Sequence, residues 1–428
     1  MDDAPTHLIT GLALDPGLDP GWDFDLGAEL ELELDVELDA VTNLAREVSQ
    51  RPAQQQPPWQ DRVAVSLVRQ ELAARPALVT AGEVRQLQTR LADVAAGRAE
   101  VVQAGDCAED PGECSASDVT EKVALLDVLA GVLQMTTGRP AVRVGRIAGQ
   151  YAKPRSSDVE RIGDLELPAY RGHLVNGPEP DPSARRADPW RMLTCHGAAG
   201  AVIRHLPPTS ADAPHPGMGV WTSHEALALD YELPLVRRTP EGDLLLTSTH
   251  WPWIGDRTRQ ADGAHVALLS QVVNPVACKV GPGITAGDLL RLCDRLDPYR
   301  CPGRLTLIAR MGAGRVRERL PGLVASVRAA GHPVIWLCDP MHANTVASPA
   351  GVKTRTLTAL VDEVRGFLAA VRDVGGRPGG LHLETTPHDV TECVADQDAV
   401  AGVARPSGSL CDPRLNPEQA VTVVGAWT

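Results

Sequence analysis

Aromatic side chains are scarce in this chain: two Phe, four Tyr and eight Trp among 428 residues. Hydrophobic residues nevertheless make up 43%, so the core is expected to be Val, Leu, Ile and Ala, a composition that fits the layered interior of a parallel barrel. Long apolar runs are missing, and the acidic N-terminus lacks the basic and apolar regions of a secretory leader. The expectation is therefore a cytoplasmic protein with no membrane span. An excess of cations is missing too. A formal net charge of −14 argues against a nucleic-acid partner and against an anionic membrane surface. The nine cysteines form no C-x-x-C pair and no disulfide-scaffold spacing. They read as buried thiols in a reducing compartment, with one or more recruited by a metal. The glycines of VGRIAG around Gly145 do not follow the dinucleotide-binding pattern, which sets a Rossmann reading aside.

What is present has a clear order. Residues 1–45 read as an acidic extension. LDPGLDPGWDFDLG is turn-rich, and AELELELDVELDA alternates carboxylates with Leu30, Leu32, Leu34, Val36 and Leu38. That period of two suits a half-buried strand, yet the carboxylates repel one another, so a disordered tail and a partner-ordered segment stay equally open. PAQQQPPWQ reads as a spacer. Residues 46–100 are expected to supply helices packing outside the main domain, with apolar residues at helical spacing in two runs: Val65, Leu67, Val68, Leu72, then Val84, Leu87, Leu91, Val94.

From residue 101 to 428, eight β-like runs alternate with helical patterns. The runs are 101–105, 140–147, 218–224, 243–251, 275–281, 304–311, 333–339 and 380–386. Helical stretches such as RERLPGLVASVRAAG and TLTALVDEVRGFLAAVRDVGG end in Gly, as helix C-termini commonly do. Eight such alternations favour a (β/α)₈ TIM barrel over a doubly wound sheet.

Four metal-capable side chains stand just beyond apolar or strand-like runs: Cys107, His342, Glu384 and Asp412. A thiolate, an imidazole and two carboxylates suit a redox-inert divalent ion, Mn²⁺ or Co²⁺ first, with Fe²⁺ and Zn²⁺ also compatible. Ligands at strand ends far apart in sequence are what a barrel gathers at its C-terminal face. The same ends carry cations: Arg146, Arg257, Lys279 and Arg310. A single Arg after a strand is ordinarily a surface or ion-paired residue, but four on one face would bind an anion with more than one negative group. KPRSSD places Lys153, Arg155, Ser156 and Ser157 in a turn set by Pro154, able to grip a second phosphate. Two anion grips and a Lewis acid describe the joining of phosphorylated substrates.

The motifs GDCAE, RIAGQYAKPRS, YRGHLVNG, TSHEALALDYE, WIGDRTRQADGAH, NPVACKVGP, GRLTLIARMG, VIWLCDPMHANT, GVKTR, GLHLETT, TECV and CDPRLN occur in one order. From about Gln56 to the C-terminus the chain resembles the class II 3-deoxy-D-arabino-heptulosonate 7-phosphate (DAHP) synthases. The resemblance implies condensation of phosphoenolpyruvate with erythrose 4-phosphate and water, the first step of the shikimate pathway. It implies that Cys107, His342, Glu384 and Asp412 hold the metal. It implies that Arg146, Arg257, Lys279 and Arg310 hold phosphoenolpyruvate, and that Lys153, Arg155 and Ser156 grip erythrose 4-phosphate. Lys279 and Asp256 are placed to orient the attacking water, and Lys153 to protonate the new alkoxide. A homodimer or higher homo-oligomer is the family expectation.

Two positions depart from the family pattern. Asp256 stands where Glu is usual, shortening a carboxylate by roughly 1 Å, and His173 where Asp is more frequent. The stretch from about Leu206 to Trp221 is much shorter than in regulated members, which predicts a feedback-insensitive form serving secondary metabolism. An amino- or otherwise modified aldose phosphate is the alternative acceptor. A non-catalytic regulatory homologue is the alternative of another class, opposed by retention of every ligand and cation. His224, Glu225, His250 and His265 read as structural or supporting residues.

Overall fold

Strand formation here follows from short runs of Val, Ile, Leu, Ala and Cys that bury both faces, as parallel strands do. In the computed structural model, which describes residues 40–209, 219–404 and 408–428, these runs close into one parallel barrel. Its strands are β1 (Glu100–Gly105), β2 (Ala141–Arg146), β3 (Trp221–Glu225), β4 (Trp251–Ile254), β5 (Val276–Val280), β6 (Leu305–Ala309), β7 (Ile335–Cys338) and β8 (Pro378–Glu384). Each strand pairs with its sequence neighbours and β8 closes on β1. Gly105 lies level with Arg146 on one side and Glu384 on the other, so three strands deliver their last residues to one height. The expected (β/α)₈ fold is the observed one.

Helices follow β1 (Ala116–Thr137), β2 (Arg191–His205), β4 (Ala264–Gln271), β5 (Ala286–Leu296), β6 (Val316–Ala329), β7 (Leu357–Arg372) and β8 (Pro417–Gly425). Four of these seven starts are written in the sequence: Ser115 with Asp118 and Asn416 with Gln419 form capping boxes, and Thr285 and Thr356 cap through their hydroxyls. After β3 the crossover carries a one-turn helix, Leu229–Glu232, a 3-10 turn, Leu233–Leu235, and a hairpin of Val236–Arg238 with Leu244–Leu246.

That hairpin corrects the fourth expected strand. The run 243–251 looks continuous, but its leucines belong to the hairpin and the barrel strand begins at Trp251. Asn274 holds the bend between them, accepting from the Leu246 N–H and donating to the Leu246 and Thr249 carbonyls. Pro252 hid the true strand, since proline donates no ladder hydrogen bond and ordinarily marks a strand edge.

The core is mainly Val, Leu, Ile and Ala as expected, with tryptophans added in the barrel interior. Trp221, Trp251 and Trp253 project into the barrel and pack with Val101, Val142, Val144 and Leu337. A few large rings fill volume that many small residues would otherwise need. Two helices precede the barrel, at Arg62–Ala74 and Ala81–Ala95. Leu87, Leu91 and Val94 of the second pack against Ile335, Trp221 and Trp251 at the strand starts, plugging the N-terminal mouth. Val41–Thr428 form one compact unit. The acidic run and its Leu30–Leu38 alternation lie outside the described residues, as does most of the shortened Leu206–Trp221 stretch.

Candidate active site

A cavity of about 330 Å³ opens at the C-terminal ends of the strands. Cys107, Arg146, Lys153, Arg155, Ser156, Asp256, Arg257, Lys279, Arg310, His342, Glu384 and Asp412 all line it. Every site residue expected from sequence is therefore gathered in one place, by seven strand ends and the loops that follow them.

The carboxylates and the imidazole meet at the floor. One ligand atom each from His342, Glu384 and Asp412 lies within 4.8 Å of the others. Atoms bound at about 2.1 Å to one ion stand roughly 3.0–4.2 Å apart, depending on the angle between them, so the trio is somewhat wider than a closed coordination shell and would draw together around an ion. The His342 ring is oriented for this task. Its Nδ1 lies 2.8 Å from Asp339 Oδ2 and its Nε2 3.0 Å from Glu384 Oε1, the carboxylate–histidine pairing that fixes a metal-binding tautomer. Cys107 stands beside this trio, its sulfur accepting from the Asp412 N–H at 3.5 Å. A hydrogen bond from Cys411 and the Lys153 charge bring its thiol down to about 6 against the effect of burial. The residues present fit one divalent ion.

Cations surround the trio closely. Lys153 Nζ reaches Asp412 Oδ2 at 2.6 Å and Glu384 Oε1 at 3.6 Å. Burial opposes its charge, but Asp412, Cys107 and Glu384 hold its pKa well above the ordinary lysine value, so it stays an ammonium. Arg146 donates to Glu384 at 3.1 Å and to the Asp106 carbonyl at 3.0 Å. Arg146 and Lys279 also face the Trp253 ring, at 5.2 and 5.7 Å from its centre, where the π-face stabilises both charges. Lys279 pairs with Asp339 at 3.0 Å, yet burial lowers its pKa. Arg310 pairs with Asp256 at 2.8 Å and donates to the His342 carbonyl. Arg257 stands exposed at the mouth, and Arg155 pairs with Glu160 at 2.6 Å.

A sequence profile of the Class-II DAHP synthetase family matches residues 44–214 and 208–426. The chain belongs to the class II DAHP synthase family. It is 54% identical over 387 residues to a probable phospho-2-dehydro-3-deoxyheptonate aldolase of Pseudomonas fluorescens, covering 90% of this chain and 97% of that one. It is 39% identical over 419 residues to the enzyme of the same name from Streptomyces coelicolor, with 86% and 93% covered. Against that of Mycolicibacterium smegmatis it is 38% identical over 425 residues, with 87% and 91% covered. Its activity is that of a DAHP synthase, joining phosphoenolpyruvate to erythrose 4-phosphate at the start of the shikimate pathway.

Within this DAHP synthase the structure adds residues that sequence reading passed over. Asp339 precedes His342 by three, a spacing visible in CDPMHAN. Arg355 and Lys353 lie in GVKTR, quoted above without a role; Arg355 is buried and pairs with Glu384 at 2.9 Å, and Lys353 reaches Asp412 at 3.0 Å. Glu225, read from sequence as a structural or supporting residue, lines the cavity with one carboxylate oxygen unpartnered, and burial raises its pKa. His382 sits beneath the site between Arg146 and Gln103; burial, Lys279 and Arg146 keep it neutral. His224, His250 and His265 are structural, bonded to Glu232, Thr222 and the Leu227 carbonyl. Both Asp256 oxygens are engaged, with Arg259 and the Gly281 N–H on one and Arg310 on the other. His173 packs edge-on against Tyr170 and lies 4.0 Å from Asp110.

Proposed function

We propose that this DAHP synthase works with one divalent ion, Mn²⁺ or Co²⁺, held by Cys107, His342, Glu384 and Asp412. The observation that carries this reading is the convergence of His342, Glu384 and Asp412 within 4.8 Å in the same cavity as the cations. A bound ion would supply Lewis acidity to the aldehyde carbonyl. Arg146, Lys279 and Arg310, with Arg257 at the mouth, hold the carboxylate and phosphate of phosphoenolpyruvate so that its C3 faces the aldehyde. Lys153, kept as an ammonium, donates to the alkoxide oxygen as the C–C bond forms. Lys279 and Asp256 orient the water that adds at C2, and phosphate then leaves by C–O cleavage while the arginines stabilise its charge. Lys153, Arg155 and Ser156 grip the aldose phosphate.

The reading extends to a cytoplasmic homo-oligomer that is insensitive to aromatic amino acids and serves secondary metabolism. Asp256, shorter than the usual Glu and locked to Arg310, favours a second reading in which a modified aldose phosphate is the acceptor. The test follows loss of phosphoenolpyruvate absorbance with erythrose 4-phosphate, after chelation and after Mn²⁺ or Co²⁺ is returned. Metal-restored consumption with equal phosphate release supports the proposal. Consumption unaffected by exhaustive chelation would sink the metal assignment, and preference for an amino aldose phosphate in direct competition would establish the second reading.

A further inference from the structure

The stretch PAQQQPPWQ, which reads as a spacer, lies against the loops of the barrel mouth. The Pro52 carbonyl accepts from the Ala264 N–H at 3.0 Å. The Gln56 amide donates to the Leu227 carbonyl at 2.8 Å and accepts from the Leu229 N–H at 3.0 Å. Trp59 is buried and its indole donates to Asp230 at 3.0 Å. The chain is thus pinned on both sides of Gln55 to the loops that follow β3 and β4.

Gln55 itself has a φ of 62°. A residue with a Cβ rarely adopts that left-handed conformation, and it persists only where the surroundings dictate it. The result is that the Gln55 side chain reaches across one hundred residues of sequence. Its Oε1 accepts from the Arg155 backbone N–H at 2.8 Å. Arg155 is the central residue of the Lys153–Ser156 turn. Pro154 contributes no N–H, and the turn's base is held separately, by the Lys153 N–H on the Arg171 carbonyl at 2.9 Å. Toward its tip, Ser156 and Ser157 are exposed. There the turn is fastened through Arg155, by its guanidinium on Glu160 at 2.6 Å and by Gln55 on its backbone.

We propose that Gln55 is a positioning residue for the aldose phosphate: the strap at residues 52–59 holds the Lys153–Ser156 turn in its binding geometry through the Gln55–Arg155 hydrogen bond. This rests on the reading of that turn as the erythrose 4-phosphate grip. It also gives the strain at Gln55 a use, since relaxing φ would swing the amide away from the turn.

The experiment compares Gln55→Gly, Gln55→Glu and Arg155→Ala in the full chain. It reads KM separately for erythrose 4-phosphate and phosphoenolpyruvate, kcat, and melting temperature. Glycine relieves the positive φ, so Gln55→Gly folds without backbone strain while lacking the acceptor. Its erythrose 4-phosphate KM is expected to rise about five- to tenfold, the scale of one lost hydrogen bond, with phosphoenolpyruvate KM unchanged. Gln55→Glu keeps an acceptor oxygen and is expected to restore most of the affinity. An unchanged erythrose 4-phosphate KM in Gln55→Gly, or equal rises in both KM values, overturns the proposal. Arg155→Ala tests the underlying reading independently. If it leaves the erythrose 4-phosphate KM unmoved, the grip lies elsewhere, whatever Gln55 does. If it raises that KM while Gln55→Gly does not, only the Gln55 proposal falls.

Discussion

Replacing Asp339 by Asn removes one charge and almost no volume, from a side chain that is fully buried. Asp339 Oδ1 accepts from the Met341 N–H at 3.0 Å, and Asn can retain that bond. The damage falls on Oδ2, which lies 2.8 Å from His342 Nδ1 and 3.0 Å from Lys279 Nζ. An amide NH₂ there faces two donors. Loss of a carboxylate behind a ligating histidine weakens metal affinity about 10- to 100-fold, or roughly 1.4–2.7 kcal/mol. Lys279 meanwhile loses the counter-charge that opposes its desolvation, and uncompensated burial of one partner of such a pair costs about 3–5 kcal/mol. Asp339→Asn should therefore bind Mn²⁺ about 10- to 100-fold more weakly, melt at a lower temperature, and show a raised phosphoenolpyruvate KM that worsens with pH as Lys279 deprotonates. Free Mn²⁺ measured by electron paramagnetic resonance during titration of the chelated protein gives the affinity directly. Unchanged affinity in a folded variant would refute the argument that Asp339 orients His342 for the metal.

Three further outcomes follow from particular contacts. A Cβ at Gly281 would stand 2.7 Å from Asp256 Oδ2; Gly281→Ala should push Asp256 off Arg310 and raise phosphoenolpyruvate KM about tenfold, while calorimetry shows a fold that is largely intact. Arg355→Ala removes one of the buried partners of Glu384, at 2.9 Å, while Arg146 remains at 3.1 Å, so chemical denaturation should register a loss of roughly 1.5–3 kcal/mol, the scale of a hydrogen bond to a charged group. His196 is held neutral by burial, with Arg75 and Arg237 adding to the effect, down to a pKa of about 4 against 6.5 unfolded. Because the unfolded chain takes up this proton first, the contribution is intact above pH 6.5 and is lost progressively as pH falls toward 4, by at most about 3 kcal/mol. The stability difference between parent and His196→Gln should change over that window, and a pH-independent difference would exclude His196 as the cause.

The site was legible wherever chemistry and local pattern coincide. Cys107, His342 and Glu384 could be picked out because each stands at or just past a run whose apolar residues declare a strand, and strand ends in a parallel barrel converge; Asp412 has no strand before it and is delivered by the long loop after β8. The cations of KPRSSD and of the other strand ends were legible for the same reason. Lys353 and Arg355 were not, because they sit in a short antiparallel pair, Thr345–Ala347 with Lys353–Arg355, that no periodicity announces. The fourth strand was misplaced because Leu244–Leu246 is locally the better strand, and only pairing with β3 and β5 favours Trp251–Ile254 in the barrel.

The sequence by itself determined the barrel, four of its helix starts and the chemical types at its mouth, since capping, alternation and apolar runs act over a few residues. Tertiary structure alone decided that Asp339 faces Lys279, that Trp253 lies under two cations, and that Gln55 reaches Arg155. Each of these is a pairing across strands or loops, favoured by closure of the barrel, and no local preference of either partner encodes it.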